Sequence, residues 1–249
     1  MAQWFLSQPG SDRQPARVVC FAHAGGNPRS FLTWQPALAE DAQLLAVLPP
    51  HPPGGRLALA DYIDGAAQAI RQLAAQDARP IYLFGHSLGA LVAFEVCRLL
   101  RDEPAVAHLV VSALAAPQLL PSPRVLELSR KEGQEFADAL VFFGGLPAEV
   151  LAEKDLLEVL LPGVQADFVL AAQYRYQPAP PLAIGVTIVT GEADPHIAKA
   201  QVEPWRAEFS QQPDIRWVPG GHFYFEDDPS LIIEVLGEVV RADQHVELI

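Results

Sequence analysis

The residues with the clearest chemical potential form the pentapeptide GHSLG at residues 85–89, which matches the G-x-S-x-G pattern of nucleophilic serines. An apolar run at residues 81–84 precedes it and a helical run follows, which is the strand–turn–helix context that exposes a serine hydroxyl. Gly85 and Gly89 leave room for the neighbouring strand and helix to approach. The pattern therefore predicts that Ser87 is a nucleophile. The alternative is a serine that caps a helix after a tight turn.

A serine hydroxyl is a weak nucleophile at neutral pH and needs a neighbouring base. Among seven histidines, His222 is the best candidate, because it follows an apolar run at residues 215–218 and a Pro-Gly-Gly loop at residues 219–221. Such a loop can bring an imidazole over the serine. Imidazoles have an ordinary pKa of about 6.5, which suits proton transfer near neutral pH. The alternative is an ordinary loop histidine.

The base in turn needs a carboxylate that fixes its orientation. Asp194 lies in the sequence Thr-Gly-Glu-Ala-Asp-Pro, after an apolar run at residues 186–189. The chain order Ser87, Asp194, His222 is that of the catalytic triad in α/β-hydrolases. Glu192 is a rival acid two residues earlier. The alternative for Asp194 is a turn residue before a proline.

Backbone N–H groups that bind a developing oxyanion are the third requirement of such a site. Leu88, the residue after the predicted nucleophile, is expected to supply one of them. The loop His23-Ala24-Gly25-Gly26 follows the first strong strand, where the second donor belongs, and we expect it to be Ala24 N–H. The alternative for this loop is a tight turn that two glycines would serve equally well.

Short apolar runs alternate with helical stretches along the chain, which predicts a mostly parallel sheet covered by helices on both faces. The predicted strands are at residues 18–21, 44–48, 81–84, 109–111, 186–189 and 215–218, and the predicted helices are at about residues 30–40, 60–76, 88–101 and 230–241. Residues 125–177 break the alternation and have helical spacing throughout. We interpret them as a helical lid inserted into a single α/β-hydrolase core made of residues 1–124 and 178–249. The alternative is that these helices only cover the sheet.

The composition bounds the function. The chain has 249 residues, of which 50% are hydrophobic and 19% charged, so that it can bury the core of one large domain. Its net charge of −13 argues against nucleic-acid binding and against binding to an anionic membrane surface. Cys20 and Cys97 lie in apolar runs, which predicts buried thiols and, with no signal-peptide pattern, a cytoplasmic protein. Neither a metal nor a cofactor is expected, since no phosphate-loop, CxxC, HExxH or dinucleotide spacing occurs.

Beyond these motifs, the sequence resembles a known family along nearly its whole length. It is similar to the type II thioesterases that accompany nonribosomal peptide and polyketide synthases, and to the medium-chain acyl hydrolases of fatty acid synthesis. The stretch GGLPAE is the most telling, because it lies in the insertion and not in the shared hydrolase core. The stretches that carry the resemblance are FAHAGG at residues 21–26, LFGHSLGA at 83–90, GGLPAEV at 144–150, LP at 161–162, ADF at 166–168, GEADP at 191–195 and PGGHF at 219–223.

This resemblance implies a serine thioesterase that removes acyl groups from the phosphopantetheine arm of a carrier protein. It also implies that Ser87, Asp194 and His222 form the triad, that the insertion is a mobile lid, and that the protein is a monomer. Small acyl substrates are implied as well. Side chains expected near the substrate are His23, Phe142, Phe143 and Phe223.

One stretch departs from the family pattern. Residues 49–56 read PPHPPGGR, which is longer and richer in proline than the usual Pro-Gly-Arg-Gly or Pro-Gly-His-Gly. Roles for His51 and Arg56 stay open, although Arg56 is a candidate for a basic patch that would contact an acidic carrier protein.

Two other functions of the protein also stay open. One is a general carboxylesterase or acyltransferase, which uses the same triad. The other is a non-catalytic α/β-hydrolase module that only binds a partner protein.

Overall fold

The computed structural model of the chain describes residues 4–50, 57–141, 153–226 and 228–246. The strands are β1 (Phe5–Leu6), β2 (Ala16–Phe21), β3 (Ala42–Val47), β4 (Ile81–His86), β5 (Val106–Ser112), β6 (Gly185–Gly191) and β7 (Asp214–Val218). They form one sheet in the order β1-β3-β2-β4-β5-β6-β7, and of its pairs β1–β3 is antiparallel and the others are parallel. This is the α/β-hydrolase arrangement, so the predicted fold class is confirmed.

Helices connect the strands. The α-helices are α1 (Leu59–Ala74), α2 (Leu88–Leu99), α3 (Pro123–Leu128), α4 (Gly133–Val141), α5 (Lys154–Ala172), α6 (Lys199–Val202) and α7 (Ser230–Val246). Shorter-pitch 3₁₀ helices span Pro28–Leu38, Pro117–Leu119 and Glu203–Glu208. No helix within the described ranges combines the length and the apolar character that a membrane crossing requires.

The central strands are apolar because helices cover both of their faces. Alternate residues of β2 point to opposite sides of the sheet, as the two-residue period of a strand requires. Val19 packs in a core layer with α1 and α2, whereas Val18 packs in a second layer with the Pro28–Leu38 helix and α7. Continuous apolar runs in the sequence therefore mark strands that are buried on both faces.

Two local features differ from the expectations. The edge strand β1 was not predicted, because two residues carry no periodicity; it is defined by the pairing of Phe5 with Val47 and of Leu6 with Ala46. The helix expected at residues 30–40 is a 3₁₀ helix, Pro28–Leu38, that contains Pro36. Proline has no backbone N–H and disfavours a regular α-helical ladder. The buried Gln35 side chain then ties this helix to β3, because its Nε2 donates to Ala42 O at 2.9 Å and its Oε1 accepts from Leu44 N at 2.8 Å.

Most of the insertion predicted at residues 125–177 is helical where it is described. It contains most of α3, together with α4 and α5. These helices share a small apolar cluster of their own, made of Leu128, Phe136, Leu140, Val164 and Phe168. Ala24, in the loop after β2, packs against this cluster. The insertion thus touches the sheet edge at the loop in which an oxyanion donor was expected.

Both cysteines lie inside the core. Cys20 is in β2 and Cys97 is in α2; both are free, and neither is more than 1% exposed. Burial raises the pKa of the Cys20 thiol. Burial also raises the pKa of Cys97 to about 12, against a smaller opposing effect of Arg101. The prediction of buried thiols is confirmed, and both stay protonated at neutral pH.

Candidate active site

The predicted nucleophile stands on a strained turn. Ser87 has φ 52° and ψ −117°, a conformation that costs a non-glycine residue about 1–3 kcal/mol. It directly follows β4 and directly precedes α2, and its N–H donates to Ser112 O at 2.9 Å. Strain of this kind persists only where the surrounding structure imposes it, and such positions cluster at functional sites.

The two glycines of the pentapeptide are required by packing. A Cβ on Gly85 would lie 2.3 Å from Gly89 O, and a Cβ on Gly89 would lie 2.1 Å from Phe21 O. Both distances are far shorter than a van der Waals contact with backbone atoms permits. The turn can therefore fit between β2 and α2 only when both positions are glycine, as the sequence predicted.

The candidate base and acid are hydrogen-bonded to each other. His222 Nδ1 lies 2.8 Å from Asp194 Oδ2, and the two side chains are 5% and 0% exposed. The other oxygen, Asp194 Oδ1, accepts from His196 N at 2.8 Å. Both carboxylate oxygens are thus occupied, which fixes the plane of the carboxylate and with it the imidazole. Glu192, the rival acid, lies in an exposed position.

The loops that carry this pair are joined to each other. They follow β6 and β7, and the Ala193 N–H donates to Gly220 O at 2.9 Å. A Cβ on Gly191 would lie 2.2 Å from Gly221 O, so that the close approach of the loops depends on glycine there. The parallel strands therefore deliver Asp194 and His222 to the same edge of the sheet as Ser87.

A buried histidine packs beneath the serine. His86 is fully buried, and its ring centre lies 5.1 Å from that of His222 and 5.6 Å from that of His23. Its Nδ1 lies 2.9 Å from Ser112 Oγ, and this hydroxyl lies 2.8 Å from Tyr224 OH. Since His86 is the residue next to Ser87, its ring contact places the candidate base beside the turn.

The environment keeps His86 and His23 neutral. Burial, with smaller contributions from His222 and His23, holds the pKa of His86 well below its ordinary value of 6.5. Burial and His222 lower the pKa of His23 to about 4. Nε2 of His86 has no hydrogen-bond partner among the described residues, so protonating both ring nitrogens would bury an unpaired N–H.

Replacing His86 by asparagine is expected to reduce the acid sensitivity of folding. The unfolded chain protonates this histidine below about pH 6.5 and the folded chain does not, so stability is complete above pH 6.5 and falls as the pH decreases. Asparagine keeps a polar partner for Ser112 Oγ but does not titrate. Urea unfolding at pH 7 and pH 5 should show that wild type loses about 2 kcal/mol more than His86→Asn. Equal losses would contradict this account.

The loop after β2 forms a tight turn in which Gly26 N donates to His23 O at 2.9 Å. The His23 ring packs against Phe223, with ring centres 4.9 Å apart, and its Nε2 lies 3.9 Å from Glu226 Oε1. Phe223 also contacts the His222 ring, at 4.8 Å. His23 and Phe223, both expected near the substrate, are thus part of the aromatic packing around the base.

Two cavities meet at Leu88. The first has about 450 Å³ of empty space, and most of its lining is apolar: Ala24, Ser87, Leu88, Leu91, Leu114, Leu120, Pro121, Ser122, Val125, Phe168 and Ala171. The second has about 750 Å³ of empty space and is lined by Ala22, His23, Gly26, Pro28, Val47, Leu48, Pro49, Pro50, Leu57, Tyr62, Leu88, Asp167 and Leu170. Ser87 lines the first cavity, and the second adjoins it at the next residue, Leu88. An extended substrate could therefore occupy both cavities with its reacting carbonyl at Ser87.

Some of the predicted site residues lie outside the described ranges, and some residues that support the site were not predicted. Phe142, Phe143, His51 and Arg56 fall outside the described residues. Sequence reasoning did not find the Ser112 and Tyr224 hydroxyls below His86, since nothing local marks them. The ADF stretch at residues 166–168 contributes to the family resemblance, but no role was predicted for Asp167, whose side chain reaches the loop after β2.

Comparisons with known proteins point to one family. A family described as thioesterase domain matches residues 16–238. Linear gramicidin dehydrogenase LgrE of Brevibacillus parabrevis is 30% identical over 251 residues, which cover 97% of this chain and 94% of that protein. Thioesterase PikA5 of Streptomyces venezuelae is 31% identical over 234 residues, 90% of this chain and 80% of that protein. The solved structure of the type II thioesterase BorB from the borrelidin biosynthetic cluster matches with a TM-score of 0.79 and 26% identity, over 95% of this chain and 97% of that one.

Proposed function

Because this chain belongs to the thioesterase domain family, we propose that it is a serine thioesterase acting on acyl groups that a carrier protein holds on its phosphopantetheine arm. Its role would be that of a type II thioesterase in nonribosomal peptide or polyketide biosynthesis. The observation that carries the proposal is the 2.8 Å pair of His222 and Asp194 at the sheet edge where the strained Ser87 opens onto an apolar cavity. Similarity to BorB and PikA5 supports the choice of thioester over ester.

In the first half of the proposed reaction, Ser87 Oγ attacks the thioester carbonyl while His222 Nε2 takes the hydroxyl proton. Asp194 accepts the Nδ1–H hydrogen bond, fixes the tautomer and stabilises the imidazolium that forms. The N–H groups of Ala24 and Leu88 bind the oxyanion, with the positive end of α2 behind Leu88. The C–S bond then breaks, His222 returns the proton to the pantetheine sulfur, and an acyl ester remains on Ser87.

In the second half, a water molecule takes the place of the thiol. His222 removes a proton from the water as its oxygen attacks the ester carbonyl, and the same N–H groups bind the second oxyanion. Collapse breaks the bond to Ser87 Oγ, which regains its proton from His222. The products are the free acid and the carrier protein with its thiol restored.

The cavities suggest how the substrate lies. We assign the apolar cavity that contains Ser87 and Phe168 to the acyl chain, because burial of methylene groups contributes about 0.8 kcal/mol each. We assign the larger cavity, with Tyr62 and Leu170 among its lining residues, to the pantetheine arm. The insertion at residues 125–177 would then act as the lid, since α5 contributes Phe168 to one cavity and Leu170 to the other.

The proposal also covers the oligomeric state and the compartment of the protein. The turn that carries Ser87, the base, the acid and the loop of Ala24 all come from one chain, which supports a monomer. Two free, buried cysteines fit a reducing compartment such as the cytoplasm. The word dehydrogenase in the name of LgrE describes that relative, whereas the chemistry-bearing residues here are those of acyl transfer.

A comparison of two substrates with one acyl group tests the substrate class. We expect kcat/KM for the acyl-pantetheinyl carrier protein to exceed that for the p-nitrophenyl ester by at least about tenfold, because contacts with the arm add about 1.4 kcal/mol or more to transition-state binding. The measurement is initial rates of acid release from both substrates. A faster ester would overturn the carrier-protein assignment and favour a general carboxylesterase. Cleavage of neither would favour an acyltransferase or a non-catalytic module.

A further inference from the structure

A hydrogen bond joins the insertion to the loop after β2. Gly25 N donates to Asp167 Oδ2 at 2.8 Å, across 142 positions of sequence. One turn earlier on α5, Val164 covers the same glycine, because a Cβ on Gly25 would lie 2.8 Å from Val164 Cγ2. Helix α5 therefore rests directly on the backbone of this loop, and both contacts are made at Gly25.

A four-residue turn of this kind can be of type I or type II, and the hydrogen bond from Gly25 to Asp167 distinguishes the two. The bond from Gly26 N to His23 O closes a four-residue turn, and Gly25 in its third position has φ +75°, which is the signature of a type II turn. Types I and II differ by rotation of the central peptide, whose N–H is that of Gly25. In the type I form this N–H would point away from Asp167, and the carbonyl oxygen of Ala24 would turn towards the carboxylate. Asp167 thus selects the type II form.

We propose that Asp167 is a positioning residue for the oxyanion hole. It holds the central peptide of the His23–Gly26 turn through the Gly25 N–H, while the Gly26 bond holds the preceding peptide, whose N–H is that of Ala24. Both peptides that flank Ala24 are then fixed, and the Ala24 N–H keeps one direction. This inference rests on the proposed function, in which the Ala24 N–H binds the oxyanion.

The position of α5 links the positioning of the oxyanion loop to substrate binding. Phe168, the next residue, lines the cavity that contains Ser87, and Ala24 packs against the apolar cluster of the insertion. One turn of α5 therefore contacts both the acyl cavity and the oxyanion loop. A shift of α5 would therefore change the acyl cavity and the turn together.

Asp167 has two opposite effects on the oxyanion: its negative charge and its hydrogen bond to Gly25. A carboxylate near a developing oxyanion opposes catalysis by Coulomb repulsion. Its contribution must then come from accepting the Gly25 hydrogen bond. An asparagine retains an acceptor oxygen at the same reach and carries no charge. Asp167→Asn should therefore preserve the function that Asp167→Ala removes.

The test compares kcat and KM for one acyl-pantetheinyl carrier protein across the wild type and three variants. We expect Asp167→Ala to lower kcat by about 10- to 100-fold, less than the loss of a whole donor, with KM changed less than about threefold. Asp167→Asn should stay within about threefold of wild type. The matched control is Gln165→Ala, on the same helix, whose Nε2 donates to Lys131 O at 2.9 Å within the insertion. It should retain wild-type kcat.

A transition-state analogue gives a readout that a purely structural role would not change. An alkyl boronic acid forms a tetrahedral adduct with a nucleophilic serine, so its affinity should fall in Asp167→Ala by the same factor as kcat/KM. If Asp167→Ala does not fold, Asp167→Ser is used, because its hydroxyl is one bond too short to reach Gly25.

Three results would overturn the inference: unchanged kcat in Asp167→Ala, an equal loss in Asp167→Asn, or unchanged boronate affinity with a raised KM. The wild type serves as the reference in the same series. If it cleaves no thioester, the proposed function fails. If it cleaves normally and Asp167→Ala matches it, only the role of Asp167 fails.

Discussion

Replacing Ser87 by alanine is expected to lower kcat for acyl-thioester hydrolysis by about a millionfold, the loss that other serine hydrolases show without their nucleophile. Alanine keeps the Cβ and the backbone of the turn, so the change removes only the oxygen that attacks the carbonyl. The residual rate would come from the oxyanion donors and from substrate binding. The measurement is single-turnover release of the free acid, with melting temperature as the check on folding.

Ser122→Ala is the matched control for this experiment. Ser122 lines the same cavity, but its Oγ accepts from Val125 N at 3.3 Å as the cap of α3. Its replacement should cost about 1 kcal/mol of stability and leave kcat within a few-fold of wild type. Labelling with a fluorophosphonate should mark wild type and Ser122→Ala but not Ser87→Ala. Near-normal turnover by Ser87→Ala would exclude the proposed nucleophile.

The second large effect is expected at the acid. Asp194→Asn should lower kcat by about ten-thousand-fold at neutral pH, because the amide N–H₂ would face His222 Nδ1 and force the wrong tautomer on the base. The asparagine oxygen can still accept from His196 N, which now bonds Asp194 Oδ1 at 2.8 Å, so the loop should keep its shape. Steady-state kinetics at pH 7 on the carrier-bound substrate measures the loss.

Glu192→Gln is the control that separates the two candidate acids. This carboxylate is two residues away in the same loop and lies in an exposed position. Its neutralisation should change kcat less than about threefold, since exposed charges interact weakly through water. A large loss in Glu192→Gln together with a small loss in Asp194→Asn would transfer the role of the acid to Glu192.

Much of the fold is predictable from sequence because its causes are local or periodic. Strands buried on both faces are continuous apolar runs, and the pentapeptide at residues 85–89 needs glycines because of contacts within one strand–turn–helix unit. The chain order, with each residue placed just after a predicted strand, suggested the pairing of His222 with Asp194, since parallel strands bring their carboxyl ends to one edge. The structure places these two side chains 2.8 Å apart.

What sequence reasoning missed depends on contacts between distant positions. The bond between Gly25 and Asp167 spans 142 positions, and the one between Ser112 and Tyr224 spans 112. Neither leaves a periodic trace in the sequence, because each depends on single residues whose partners lie far away along the chain. The strand β1 was missed for a related reason, since two residues are too few to show a period and their partners lie far along the chain in β3.

The burial of Cys20 and Cys97 bears on how this protein handles its own product. A thioesterase releases a free thiol at every turnover. Once such a thiol is oxidised to a disulfide, an accessible, ionised cysteine can attack that disulfide and form a mixed disulfide. Both sulfurs here are shielded from solvent and have raised pKa values. The protein therefore offers no partner to the released pantetheine, and a thiol-reactive dye added to native protein would count turnover with no background from the protein itself.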